Sequence, residues 1–177
     1  MLSGGVDRAH ERSGVGVATT KGTVAELWDA STGRHLHTLT GHGSLVTDAE
    51  FSPNGLRLVT VSDDHTGRIW NVRSGHLVRK LVGHSLPVLT GSYSPDGHWI
   101  VTASYYTAGL WNARTGQLLS YLVGHTTPTL TGASFSPAGN WILTGSDDGT
   151  ARVYHCVVCR PLKGLEATAR ARIHALR

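Results

Sequence analysis

Histidine, hydroxyl and carboxylate side chains recur together along the chain, and these are the residue types of a nucleophilic triad. One such set is His42, Thr60 and Asp64. In a triad the histidine accepts the proton of the hydroxyl and the carboxylate orients the histidine. The chain has no Gly-x-Ser-x-Gly elbow, phosphate-binding loop or His-Glu-x-x-His helix to accompany that chemistry. The recurrence of the set therefore asks for a structural explanation first.

Cysteine and histidine pairs offer a second kind of chemistry. Cys156 and Cys159 have the spacing of one half of a zinc site, but no second pair exists and His155 is the only adjacent candidate ligand. We expect two reduced cysteines packed at the end of the last repeat, with zinc binding or a redox pair as the alternatives. His35 and His37 share one strand face, and we expect them not to bind a metal. No cofactor is predicted.

Composition and charge bound the class of protein. The 177 residues are 40% hydrophobic and 16% charged, which is typical of a globular protein. Five basic residues and one acidic residue between Arg160 and Arg177 account for the net charge of +4, so the body lacks the basic footprint of a nucleic-acid-binding protein. No apolar run approaches the roughly 18 residues of a membrane span, and residues 1–16 show no secretory signal pattern. We expect a cytoplasmic protein.

Three markers recur with one spacing of 41 to 43 residues and in one order. A Gly-His pair, an aromatic-Ser-Pro triplet and a terminal aromatic pair each repeat, and the repeated histidines and closing aromatic residues are His42, His84, His125, Trp28, Trp70, Trp111 and Tyr154. A fixed period of this length is the signature of a repeat architecture. The sequence therefore predicts a chain built from copies of one supersecondary unit.

One period contains four predicted strands, at residues 46–51, 56–61, 67–72 and 76–82. Short turns rich in Gly, Pro and Asp separate them, and such turns join antiparallel strands. No segment before residue 160 has a convincing helical period. The fold class predicted is all-β, with each unit a four-stranded antiparallel meander.

The combined motifs resemble the WD40 repeat. Gly-His, then Phe-Ser-Pro-Asn-Gly, then an Asp-containing turn and a closing Trp-Asp or Trp-Asn follow one another across residues 17–155. The resemblance implies a β-propeller or partial propeller of about four blades, with units that end near Trp28, Trp70, Trp111 and Tyr154. It also implies a non-catalytic scaffold that binds a protein or peptide, so we expect that the chain is not an enzyme.

The resemblance further implies a buried hydrogen-bonded relay of His, Ser or Thr, Asp and Trp in each blade, which explains the triad-like sets. The second unit supplies a full set, namely His42, Thr60, Asp64 and Trp70. The third unit supplies a set without Asp, namely His84, Thr102 and Trp111. The fourth supplies His125, Thr144 and Asp148, with Tyr154 in place of Trp. We expect the ends of the chain to be less stable than its middle.

The number of complete units raises the question of ring closure, since closed propellers have four to eight blades. Residues 46–82 and 88–123 have all four strands, whereas the first unit is predicted to keep only its later strands and the last to stop at Tyr154. An open arc exposes strand edges and favours association. The chain could be part of a longer protein, pair with a second copy, or be a degenerate product.

The last residues change character. Residues 1–16 are poorly patterned, and residues 156–177 carry the Cys-x-x-Cys pair and a predicted basic amphipathic helix that starts at Pro161. The helix could dock on the last blade, bind a partner or lie on a membrane surface. The segment from Tyr154 through this helix resembles the end of bacterial WD40 proteins attached to STAND-type signalling ATPases. The alternative function is therefore a sensor segment of such an ATPase.

Departures from the repeat mark the predicted partner-binding residues. Tyr105 and Tyr106 stand in a shortened turn where other units have an Asp-containing turn, and exposed aromatic residues often anchor interfaces. They could equally fill the space of the missing relay residue. Asp63, His65 and Asp147 occupy equivalent turns and could add polar contacts.

Overall fold

A computed structural model describes residues 7–8, 17–127 and 129–159. The described residues form fifteen strands and one short 3-10 turn, Val157–Cys159. The strands are β1 (Asp7–Arg8), β2 (Val17–Lys21), β3 (Val24–Trp28), β4 (His35–Leu39), β5 (Val46–Phe51), β6 (Arg57–Ser62), β7 (Thr66–Asn71), β8 (Leu77–Val82), β9 (Val88–Tyr93), β10 (Trp99–Ser104), β11 (Ala108–Asn112), β12 (Leu118–Leu122), β13 (Leu130–Phe135), β14 (Trp141–Ser146) and β15 (Ala151–His155).

These strands make four antiparallel sheets in chain order. The first three sheets each have four strands, β1–β4, β5–β8 and β9–β12, and the fourth has three, β13–β15. The all-β fold and the four meander units predicted from the period are confirmed, and the structure is that of a partial propeller. The helix predicted after Pro161 lies outside the described residues.

The first sheet differs from the prediction that this unit keeps only its later strands. Asp7–Arg8 pairs with Val17 and Ala18, so the first unit has a fourth, two-residue strand. The sequence pattern missed it because two residues are too few to show the period-2 alternation of a strand. The last unit stops at β15 within the described residues, as the pattern predicts.

The turns between the first two strands of each later unit share one local design. In the second unit the Ser52 hydroxyl accepts a hydrogen bond from the Arg57 amide at 3.0 Å, and the Gly55 amide donates to the Ser52 carbonyl at 2.8 Å. Gly55 has φ +69°, a conformation that glycine adopts without strain. The Ser-Pro-Asn-Gly pattern thus fixes a tight turn, and the same turn recurs at Ser94 and Ser136.

The core is divided into three layers, each between two neighbouring sheets. Leu27 and Leu58 belong to the layer between sheets one and two, while Val59 and Trp111 belong to the layer between sheets two and three. Leu110 and Ile142 lie between sheets three and four. Adjacent residues of one strand point to opposite faces, so each inner sheet serves two layers. Among the described residues, no buried cluster joins the fourth sheet to the first.

Polar contacts between first strands reinforce the packing of neighbouring sheets. The Thr47 hydroxyl donates to the Val88 carbonyl at 2.6 Å, and the Glu50 carboxylate accepts from the Tyr93 amide at 2.9 Å. The Asp48 carboxylate accepts from the Gly91 amide at 3.0 Å. These bonds fix the register of the second and third sheets against each other. In the part of the chain that the structure describes, no helix is long and apolar enough to cross a lipid bilayer.

Candidate functional site

The second unit brings its four relay residues into one hydrogen-bonded chain. The two ring nitrogens of His42 lie 2.9 Å from the Asp64 carboxylate and 2.8 Å from the Thr60 hydroxyl. The Trp70 indole N–H donates to the same hydroxyl at 2.8 Å. Thr60 lies on β6, Trp70 lies on β7, and His42 lies in the loop before β5. The relay therefore ties a loop to two strands and to the turn between those strands.

The carboxylate of this relay collects several donors. Burial would raise the pKa of Asp64, but hydrogen bonds from the Thr66 hydroxyl, the Gly43 amide and His42 outweigh burial and hold that pKa well below its usual range. Burial lowers the pKa of His42, and the neighbouring Asp64 carboxylate opposes that effect. Arg68 adds a positive charge 4.0 Å from Asp64 and donates to the Gly41 carbonyl at 2.6 Å.

The fourth unit repeats the relay up to its last member. The ring nitrogens of His125 lie 2.9 Å from the Asp148 carboxylate and 2.8 Å from the Thr144 hydroxyl. Tyr154 was expected to replace the indole, but its hydroxyl donates to the Val123 carbonyl at 3.2 Å instead. A phenol carries its donor at the far end of the ring, beyond the position of an indole N–H. Placing Tyr154 in the relay was therefore wrong.

The third unit keeps three relay residues and has no carboxylate. His84 lies 2.7 Å from the Thr102 hydroxyl, which also accepts from the Trp111 indole at 2.8 Å. Burial lowers the pKa of His84 to about 4, and no carboxylate offsets that effect. The first unit has only the last link, in which the Trp28 indole donates to the Thr19 hydroxyl at 3.1 Å.

The third unit also lacks the arginine that accompanies the relay. Gly109 pairs with Thr102 where Arg68 pairs with Thr60 and Arg152 with Thr144. A Cβ at Gly109 would lie 2.8 Å from the Trp111 indole nitrogen and 3.0 Å from His84, so no side chain fits. The Tyr121 hydroxyl donates to the Gly83 carbonyl, just as Arg68 donates to the Gly41 carbonyl. Reading single repeats missed Tyr121, although an aromatic residue opposite Gly109 was the available signal.

The relay hydroxyls are poorly placed for nucleophilic chemistry. Thr60, Thr102 and Thr144 are each 1% exposed, and each bonds to its histidine. A nucleophile must meet a substrate atom at roughly 3 Å, which these buried oxygens cannot do without displacing the blade. The geometry supports a tie between loops and strands.

The two cysteines form a disulfide, Cys156–Cys159, and both are buried against the layer between sheets three and four. The expectation of two reduced cysteines is therefore wrong for this structure, because the 3-10 turn brings the two side chains together. The neighbouring His155 ring packs edge-on against Trp141 with ring centroids 4.7 Å apart. Among the described residues, no three His, Cys, Asp or Glu side chains converge as metal ligands would.

The five residues predicted to bind a partner lie in the turns between the second and third strands of units two to four. In antiparallel meanders these turns lie at the same end as the Gly-His loops. His65, Asp147 and Tyr106 are exposed, whereas Asp63 and Tyr105 are partly buried. Tyr106 is 49% exposed at the rim of a pocket in the third unit, where Tyr121 and His84 form part of the wall.

Comparison with known proteins agrees with this repeated geometry. The family model described as WD domain, G-beta repeat matches residues 33–71, 75–112 and 116–155. A search of the curated proteins finds no match to the chain. The three matches cover more than half of the sequence, and each contains the loop, strands and closing aromatic residue of one unit. The chain belongs to the WD40 repeat family.

Proposed function

We propose that this chain is a non-catalytic scaffold that binds a protein or peptide at the end of the molecule that carries the Gly-His loops. WD40 repeats generally mediate interactions between proteins. The observation that supports this surface is Tyr106, a large aromatic side chain that is 49% exposed where neighbouring units have a polar turn. Leu86 and Tyr121, 38% and 40% exposed, lie around the same pocket. Aromatic anchors beside a concavity carry much of the binding energy of many interfaces.

A paired substitution tests this surface. Tyr105→Ala with Tyr106→Ala removes both aromatic side chains, and the control Arg114→Ala with Gln117→Ala changes exposed residues at the opposite end of the same unit. We expect the tyrosine variant to lose at least tenfold in affinity for a captured partner, while the control binds as the unaltered chain does. Circular dichroism and thermal unfolding establish that both variants fold. Full binding by a folded tyrosine variant would contradict the proposed surface.

We further propose that the chain associates with itself through β15. This strand is the last of the fourth sheet among the described residues, and Val153 is 62% exposed there. An edge strand with apolar side chains is a template for pairing with another chain. Light scattering should give a mass near twice 18.9 kDa, and Val153→Lys should return the protein to monomer. A monomer at all concentrations would contradict this mode of association.

A further inference from the structure

The second and fourth units show what normally fills the space beside the relay histidine. The Asp64 carboxylate accepts from His42, from the Gly43 amide at 3.0 Å and from the amide and hydroxyl of Thr66 at 3.0 and 2.5 Å. In the fourth unit the Asp148 carboxylate accepts from the matching groups, those of His125, Thr126 and Thr150, at 2.5 to 3.1 Å. Each space is therefore built to hold one carboxylate.

The third unit keeps the donors and has lost only the acceptor. His84, the Ser85 amide, and the amide and hydroxyl of Thr107 occupy the positions of the donors in the other two units. The turn of Ser104 to Thr107 is one residue shorter, and the missing residue is the aspartate. Within the described residues, the Nδ1 atom of His84, the Ser85 amide and the Thr107 donors meet no acceptor.

The proton of His84 lies on the side of the missing carboxylate. The Thr102 hydroxyl can donate either to the Nε2 atom of His84 at 2.7 Å or to the Gly109 carbonyl at 3.5 Å, and the shorter contact is much the stronger bond. When Thr102 donates to Nε2, the neutral ring carries its proton on Nδ1. His84 thus presents an N–H donor to the space that Asp64 and Asp148 fill in the other units.

These donors line a real cavity. A pocket of about 250 Å³ is bounded by His84, Ser85, Thr107, Tyr106, Tyr121 and Val123 among others. Its volume is several times the roughly 30 Å³ that a water molecule occupies in the liquid, so a side chain can enter. Tyr106 and Val123 are 49% and 63% exposed, which leaves the entrance open to an approaching chain.

We propose that the third unit binds an external carboxylate, supplied by an Asp or Glu side chain of a protein partner, in the place that Asp64 and Asp148 occupy in the neighbouring units. This assignment rests on the proposed interaction function, because it names the partner chemistry that the same end of the molecule would take. Since Gly109 replaces the arginine found in the other units, hydrogen bonds to His84, Ser85 and Thr107 hold the carboxylate, with Tyr106 and Tyr121 against the rest of the partner's chain.

The test is a titration of the full chain with propionate, followed through the imidazole nitrogen signals of its histidines. We expect a saturable shift of the Nδ1 signal of His84, and at least tenfold weaker binding of propionamide, which has the same shape without the charge. His42 and His125 already hold a carboxylate and should not respond. No saturable shift at His84, or equal shifts at all three histidines, would overturn the proposal.

Two variants make the test specific to the pocket. Replacing Tyr105-Tyr106 by Asp-Asp-Gly gives this turn the sequence of the fourth unit, so an internal carboxylate should fill the space and abolish propionate binding. Thr107→Val keeps the turn length and removes one donor, and it should weaken binding several-fold even if the longer turn does not fold. Propionate binding that is unchanged in Thr107→Val and in a folded turn variant would also overturn the site.

A pair of short peptides separates the two sources of a carboxylate. A blocked peptide with one internal Glu should bind, and a peptide whose only carboxylate is its C-terminus should bind at least tenfold more weakly; the reverse order would overturn the assignment to a side chain. The outcome is distinguishable from that of the proposed function. Propionate binding at His84 in a chain whose protein partner ignores Tyr106 would reject the partner surface and leave the carboxylate site standing.

Discussion

The second and third units perform the same structural task with different sets of residues. Both bury a histidine, a threonine and a tryptophan in a hydrogen-bonded chain, with Trp70 and Trp111 at 3% and 0% exposure. Only the second unit adds an aspartate and an arginine, and only the third opens a pocket beside its histidine. The three shared residues are therefore enough to join loop to strands, whereas the carboxylate fills the space between loop and turn.

The fourth unit shows the opposite loss. It keeps His125 and Asp148 but has no indole on Thr144, and its sheet has three strands among the described residues. Comparison of the three units separates the contributions of the indole and of the carboxylate, which no single unit could do.

The largest expected effect comes from removing the hydroxyl that the relay shares. Thr60→Val keeps the side-chain shape but leaves both His42 and the Trp70 indole without a partner, so we expect a loss of about 4 kcal/mol in the free energy of unfolding. The matched change Thr144→Val orphans His125 alone and should cost about 2 kcal/mol. Urea unfolding of both variants measures the difference. Equal losses would show that the indole bond adds nothing to the second unit.

The pH dependence of stability should be dominated by the third unit. Because the folded-state pKa of His84 is lowered to about 4 from an ordinary value of 6.5, its contribution is present above pH 6.5. It is lost as the pH falls from 6.5 towards 4, by up to about 3 kcal/mol. His84→Gln should flatten the stability profile over that range. His42→Gln should change the profile less, because Asp64 opposes the lowering of the His42 pKa. An unchanged profile in His84→Gln would contradict this assignment.

Removing the carboxylate of the second unit should cost less than removing its hydroxyl, because the third unit folds without one. Asp64→Ala leaves the His42, Gly43 and Thr66 donors without their acceptor, and we expect a loss of about 2 kcal/mol. The neighbouring Asp63→Ala, in the same turn, should change stability by less than about 0.5 kcal/mol. Thermal unfolding at neutral pH measures both, and a large effect of Asp63→Ala would mean that the turn itself is what Asp64 supports.

The smallest effect should come from completing the relay of the fourth unit. Tyr154→Trp supplies an indole N–H that can donate to Thr144, and we expect a gain of about 1 kcal/mol. Tyr154→Phe removes only the bond to the Val123 carbonyl and should cost about 0.5 kcal/mol. Urea unfolding followed by tryptophan-independent circular dichroism measures both variants. A loss of stability in Tyr154→Trp would show that this unit has closed around the phenol.

Residue types and spacing were enough to predict much of this arrangement. The 41 to 43 residue period located the strands, and the family resemblance named His42, Thr60, Asp64 and Trp70, which the structure brings together. It also marked Tyr105 and Tyr106 as departures. These inferences succeed because the contacts within a blade join residues at fixed offsets in one repeat.

The errors have a common physical cause. Tyr154 bonds to Val123, Tyr121 bonds to Gly83, and Cys156 joins Cys159, and in each case the outcome depends on where a side chain ends in space. A pattern of residue types gives the face of a strand that a side chain occupies, but it gives no reach or direction. The two-residue strand Asp7–Arg8 was missed because pairing with β2, and no periodicity of its own, makes it a strand.

The sequence by itself determined the repeat, the antiparallel meander and the relay residues, because backbone turns and strand alternation are local consequences of residue type. Only the tertiary structure decided what the third unit does with its missing aspartate. The absence of one residue in a turn leaves His84, Ser85 and Thr107 around a pocket, and that result depends on Tyr106 and Tyr121, which lie on different elements. Packing between elements settles whether a lost residue leaves a filled core or an open site.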